Sequence, residues 1–158
     1  MFLPYGRQSI DESDIEAVAQ VLRGDWLTTG PAVEKFEREL GSVAGQSNPA
    51  VTVTSGTAAL HVAYAAAGIG PGDEVVTTPL TFLATATCAA IQGATVVFAD
   101  VSDDTGNLDP AAAAAAVTDR TRVISGVDYA GHPIDAPALR RGAEDARAPL
   151  LGDAGQPS

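Results

Sequence analysis

Lysine is almost missing from this chain: eight of its nine basic residues are arginines, and Lys35 is the one lysine. Chemistry that needs a lysine amine from these 158 residues must use Lys35 or is excluded. Lys35 sits beside Glu34, Glu37 and Glu39, where a solvated, carboxylate-paired amine is the expected state. Positive charge is scarce altogether. Nine basic residues stand against 20 acidic ones, for a formal net charge of −11. That excludes a nucleic-acid surface or an anionic-membrane surface as the expected role.

Cysteine is nearly absent too. Cys88 alone cannot form an intrachain disulfide. It lies in an apolar run with no histidine nearby in sequence, so a buried, inert thiol is expected. The two histidines, His61 and His132, add no metal-ligand spacing. No apolar run is long enough to cross a bilayer. Asp11, Glu12, Asp14 and Glu16 follow Arg7 where a signal peptide would need an apolar core, so a cytoplasmic location is expected.

What is present reads as a globular α/β chain. The hydrophobic content of 46% is ordinary for a folded domain. Residues 1–48 read as an N-terminal helical segment. Ser9-Ile10-Asp11-Glu12 reads as a capping box, with Ile15, Val18, Ala19 and Leu22 on one face and Gly24 as the stop. Pro31 opens a second helix whose apolar stripe is Val33, Phe36, Leu40 and Val43. Residues 49–158 then alternate short apolar runs with helical stretches. Strands are expected at Val51–Thr54, Glu74–Thr77, Thr95–Ala99, Arg122–Val127 and Pro149–Gly152. Helices are expected over Thr57–Ala67, Thr81–Ile91, the Ala111–Ala116 run behind an Asp109-Pro110 cap, and Asp135–Arg147. Such repeating β–α units predict a mostly parallel sheet covered on both faces.

Ligands of such sheets bind beyond the carboxyl ends of the strands. Ser55-Gly56-Thr57 falls where a helix begins, and exposed amides there attract a phosphate. An ordinary helix cap explains the same residues. Asp153 ends the last apolar run. A carboxylate there needs a cation or several donors, and a protonated ring nitrogen is one such cation; a helix cap is the other reading. Gln156 could donate to a phenolate or simply occupy a surface turn. Phe82 could stack on a flat cofactor or join the core.

Taken in order, Pro4-Tyr5-Gly6-Arg7-Gln8, Trp26-Leu27-Thr28-Thr29-Gly30-Pro31, Ser55-Gly56-Thr57, Thr81-Phe82-Leu83-Ala84-Thr85-Ala86, Asn107-Leu108-Asp109-Pro110 and Asp153-Ala154-Gly155-Gln156 closely resemble the DegT-like sugar aminotransferases. The resemblance covers essentially all of this chain but only the first part of a family member. It implies the three-layer α/β/α large domain of fold-type I enzymes, truncated before its last strands, and pyridoxal 5'-phosphate (PLP) as cofactor. Ser55, Gly56 and Thr57 would hold the phosphate, Phe82 would stack on the ring, Asp153 would pair with the pyridine nitrogen, and Gln156 would contact the phenolic oxygen. Tyr5, Thr29 and His132 fall in segments near the sugar in the family. The family's Schiff-base lysine comes after the aspartate and has no counterpart here, so no catalytic residue is assigned. Gly152 and Gly155 depart from the family's acidic-residue–Asp-Ala-Ala string.

The function implied is that of a truncated enzyme. In full-length form it would transfer an amino group, from glutamate, to a UDP-linked 4-keto-6-deoxy sugar; this chain alone would be inactive. The implied partners are the nucleotide sugar, the amino-acid donor and a second copy in a homodimer. A PLP-dependent sugar dehydratase of the same fold remains an alternative. So does a non-catalytic module that binds PLP or a nucleotide sugar, or that serves dimerisation.

Overall fold

The computed structural model describes residues 8–45, 47–144 and 148–155. The chain divides into two compact units, Met1–Val53 and Thr54–Ser158.

The first unit is helical. α1 spans Glu12–Arg23 and α2 spans Pro31–Val43. The expected capping box is present but displaced by two residues. Asp11, not Ser9, is the N-cap: its Oδ1 accepts from the Ser13 and Asp14 amides, and Asp14 Oδ2 accepts from the Asp11 amide at 3.0 Å. A carboxylate suits the positive end of a helix better than a hydroxyl does, and Asp14 closes the box at the third position. α2 begins at Pro31 as expected. Lys35 Nζ lies 3.7 Å from Glu39 Oε1 on its exposed side.

Val51–Thr54 does not form the expected strand. Its backbone is engaged elsewhere. The Ala50 amide donates to the Glu37 carbonyl at 2.9 Å, and the Thr52 amide and hydroxyl both donate to Glu37 Oε1, at 2.8 and 2.7 Å. The two Thr52 bonds, the amide's first, hold the Glu37 carboxyl below the ordinary glutamate range. Gly41 permits this close return of the chain, since a Cβ there would meet the Asn48 carbonyl oxygen at 2.6 Å. An apolar β-branched run becomes a strand only when a ladder accepts it. Among the described residues none does.

The second unit is the expected three-layer α/β/α arrangement. α3 covers Gly56–Ala66, β1 Glu74–Thr77, α4 Ala84–Ile91 and β2 Thr95–Phe98. α5 (Pro110–Ala116), β3 (Thr121–Val127), α6 (Ala136–Glu144) and β4 (Leu150–Asp153) follow. All pairs are parallel, in the order β2-β1-β3-β4. The chain steps from β1 to β2 in one direction, then reverses to reach β3 and β4. Right-handed crossovers place helices on opposite faces when the direction reverses. Accordingly α4 packs with α3, and α5 packs with α6. Alternation along the strands feeds both faces. Val75 and Val123 join Leu60, Tyr64, Cys88 and Ala89 in one core; Val76 and Ile124 join Leu108, Ala113 and Leu139 in the other. Each such fully buried aliphatic side chain stabilises the fold by about 1.5–3 kcal/mol.

One buried charge enters the sheet. Glu74 at the start of β1 is 5% exposed and accepts from Thr118 Oγ1 at 2.6 Å and from the Arg120 guanidinium. The Thr118 hydroxyl, and after it Arg120, hold its carboxyl below the ordinary value of 4.5 against an opposing push from burial. A group whose folded-state value is lowered stabilises the fold above its unfolded value, and that contribution is lost as pH falls through the folded one. Thr118→Val should therefore lower the thermal midpoint at pH 7, and the gap to the parent should shrink as pH drops below 4.5. Midpoints from circular dichroism at a series of pH values read this directly; a gap independent of pH contradicts it.

Candidate functional site

The carboxyl ends of β1, β3 and β4 open on the same edge of the sheet. β4 delivers Asp153 there. One oxygen, Oδ2, accepts from Thr85 Oγ1 at 2.8 Å; the other, Oδ1, accepts from the Gly155 amide at 3.1 Å. A carboxylate has about four acceptor sites. Described residues use two of them.

Thr85 lies in the first turn of α4, and its amide donates to the Phe82 carbonyl. Thr81 Oγ1 contacts Thr85 Oγ1 at 2.8 Å. The phenol of Tyr64, a wholly buried residue of α3, donates to the Thr85 carbonyl at 2.8 Å. Burial first, then the charge of Asp153, push the Tyr64 phenol up, against a pull from Ser125. The Cys88 thiol donates to the Thr57 carbonyl at 3.4 Å and is also pushed up, by burial and then by Asp153. Both groups are therefore neutral at neutral pH and add no second negative charge beside Asp153. Cys88 is 2% exposed, as expected of an inert thiol.

A cleft of about 210 Å³ runs between the first turns of α3 and residues 151–155. Gly56, Ala59 and Ala63 line one side; Gly152, Asp153 and Gly155 line the other. None of its lining residues is basic. Ser55 caps α3, its Oγ accepting from the Ala58 amide at 3.1 Å. A Cβ built on Gly56 meets nothing within 4 Å, so the space above this helix end is open. An anion here would be held by amides, the helix dipole and the exposed Thr57 hydroxyl.

The structure thus brings Gly56, between Ser55 and Thr57, to one wall of this cleft and Asp153 to the other. Phe82 stands in the turn between Thr81 and Thr85, and 66% of it is exposed, so the core does not claim it. His132 is placed elsewhere. It lines a second cleft of about 330 Å³ with Asp104, Asn107 and Asp135, and no residue lines both. Asn107 builds that loop: its Nδ2 donates to the His132 and Pro133 carbonyls, and its Oδ1 accepts from the Tyr129 amide. Thr29 belongs to the first unit and has a left-handed backbone (φ 48°), which a β-branched residue adopts only under strain. Tyr5 and Gln156 lie outside the described residues. The sequence places Thr81 and Thr85 in a family-like segment without assigning them a role, and gives no sign of Tyr64. The available signal was two hydroxyls four residues apart across a helix start, Thr81 in the turn before α4 and Thr85 in its first turn.

The residues present fit PLP. They offer an open helix end without competing side-chain bulk for a phosphate, an exposed aromatic, and a carboxylate with acceptor sites that no described residue uses. The sequence profile of the DegT/DnrJ/EryC1/StrS aminotransferase family matches residues 8–157. The spore coat polysaccharide biosynthesis protein SpsC of Bacillus subtilis is 44% identical over 153 residues, covering 97% of this chain and 39% of that protein. The aminotransferase from Psychrobacter cryohalolentis superposes with a TM-score of 0.88 at 35% identity, over 98% of this chain and 40% of the other. NtdA from Bacillus subtilis, solved with bound cofactor PMP, superposes with a TM-score of 0.84 at 28% identity, over 94% and 35% respectively. The chain spans about two fifths of the length of the relatives it matches.

Proposed function

Because the chain belongs to the DegT/DnrJ/EryC1/StrS aminotransferase family, we propose that its second unit is the cofactor-holding part of a PLP-dependent sugar aminotransferase. The observation that carries this reading is the cleft that sets the α3 N-terminus across from a hydrogen-bonded Asp153. Bound PLP supplies an electron sink for moving an amino group between carbon centres. The Ser55–Thr57 segment anchors the phosphate through amides and hydroxyls. Asp153 keeps the ring nitrogen protonated, because an adjacent carboxylate favours the charged form of a base. Phe82, exposed beside the cleft wall, covers one ring face.

The finer reading is amino transfer from glutamate to a UDP-linked 4-keto-6-deoxy sugar. The chain is similar in its Tyr5-Gly6-Arg7-Gln8 opening to UDP-4-amino-4,6-dideoxy-N-acetyl-β-L-altrosamine transaminase of pseudaminic acid synthesis, and that opening supports this reading. A homodimer is its assembly. The single, exposed, Glu39-paired lysine favours one qualification: these 158 residues bind the cofactor without turning it over.

Amide resonances test the placement. Adding PLP to ¹⁵N-labelled protein should move Gly56, Thr57 and Ala58 together with Asp153–Gly155. Shifts confined to residues of the His132 cleft, with the α3 end silent, would move the cofactor site away from Asp153.

A further inference from the structure

The wall of the cleft contains a feature that the cofactor reading does not use. Asp153 does not stand free. A hydroxyl has one proton, and Thr85 gives its proton to Asp153 Oδ2. In the 2.8 Å contact between Thr81 and Thr85 the donor is therefore Thr81. The result is a directed chain, Thr81 to Thr85 to Asp153, in which each hydrogen bond polarises the next. Its inner member is rigidly seated. Thr85 is fully buried, its amide is bonded to the Phe82 carbonyl, and its carbonyl receives the buried Tyr64 phenol.

We propose that Thr85, backed by Thr81 and seated by Tyr64, is the positioning residue that fixes the Asp153 carboxylate toward the cleft. The role rests on Asp153 being the ring-nitrogen partner. Asp153 ends an edge strand, half-buried, with only the Gly155 amide as its other described donor. Without the Thr85 hydroxyl the carboxylate would rotate freely about its side-chain bonds, and the Gly155 contact would loosen with it. The two titratable groups that face Asp153 from α3 and α4, Tyr64 and Cys88, are held protonated. Protonated, both are neutral and add no charge beside the carboxylate.

Three variants of the chain separate position from bulk. Thr85→Val keeps the shape and removes the donor; Thr85→Ser keeps the donor; Thr81→Val removes only the outer hydroxyl. The first readout is hydrogen exchange of the Gly155 amide, which needs no cofactor. Thr85→Val should speed it about fivefold, the loss of one hydrogen bond of ordinary strength. Thr85→Ser should leave it at the parent rate, and Thr81→Val should fall between. The second readout is PLP affinity by spectrophotometric titration: Thr85→Val should weaken it about five- to tenfold, with rescue in Thr85→Ser. Parent-like Gly155 exchange in Thr85→Val overturns the proposal. So does equal loss in Val and Ser, which would mark a packing role. If Thr85→Val cannot be folded, Thr81→Val decides between the same outcomes. Failure of the cofactor reading looks different: Asp153→Asn would bind PLP as well as the parent, while the exchange result would still report on Thr85.

Discussion

Supplied with saturating PLP, glutamate and a UDP-linked 4-keto sugar, the 158-residue chain should form amino sugar no faster than PLP free in solution. Enzymes of this kind of chemistry owe at least about 10⁶-fold to their sites, and the amine that releases cofactor to the donor and then carries protons is a lysine. The only candidate, Lys35, is exposed on α2 and paired with Glu39. It belongs to the helical unit, whereas Asp153 and the α3 end belong to the other. Borohydride reduction followed by peptide mapping gives the companion result: no pyridoxyl label in residues 54–158, with random labelling confined to Lys35 and the α-amine. Turnover clearly above free PLP would show that an internal lysine is dispensable and would remove the reason for calling this chain a binding scaffold.

The second large effect concerns Asp153. In a longer chain that supplies the missing amine, Asp153→Asn should reduce kcat by roughly a hundredfold or more, the scale on which a buried electrostatic partner of the reacting system acts. Asparagine is nearly isosteric, but its single side-chain oxygen can keep only one of the Thr85 and Gly155 hydrogen bonds that Asp153 accepts on two different oxygens. Also lost is the charge that keeps the ring nitrogen protonated. Asp153→Glu tests the same point from the other side: charge retained, position shifted by a methylene. A parent-like kcat in Asp153→Asn would leave the carboxylate as a mere cap at the end of β4.

Much of the fold could be read from the sequence, and the reasons are local. β1 occupies the expected Glu74–Thr77, and β2, β3 and β4 fall within a residue of expectation, because their short apolar runs are bounded by turn and cap residues. The Asp109-Pro110 start of α5 was legible for the same reason: the cap and the ring each specify a helix beginning. Val51–Thr54 was misread because strand formation depends on a partner, and here Glu37 claims the segment's donors instead. No propensity encodes a contact 15 residues back. The site divides along the same line. Ser55-Gly56-Thr57 and Asp153 are recognisable since each sits at an element boundary. Thr85 is recognisable only once α4 is packed on α3 and turned toward β4, a contact that spans 68 residues. His132 shows the converse: its loop has a legible pattern, but Asn107 folds that loop around a different cleft.

On this reading PLP is held non-covalently against Asp153. The most direct test is a PLP titration of the parent chain beside Lys35→Arg and Asp153→Asn, with binding followed by absorbance and equilibrium dialysis. The account predicts saturable binding at one site per chain, unchanged in Lys35→Arg and weakened about ten- to hundredfold in Asp153→Asn, the worth of a charge-assisted hydrogen bond. Binding that disappears in Lys35→Arg and ignores Asp153→Asn would show PLP reacting with a surface amine, and would contradict it.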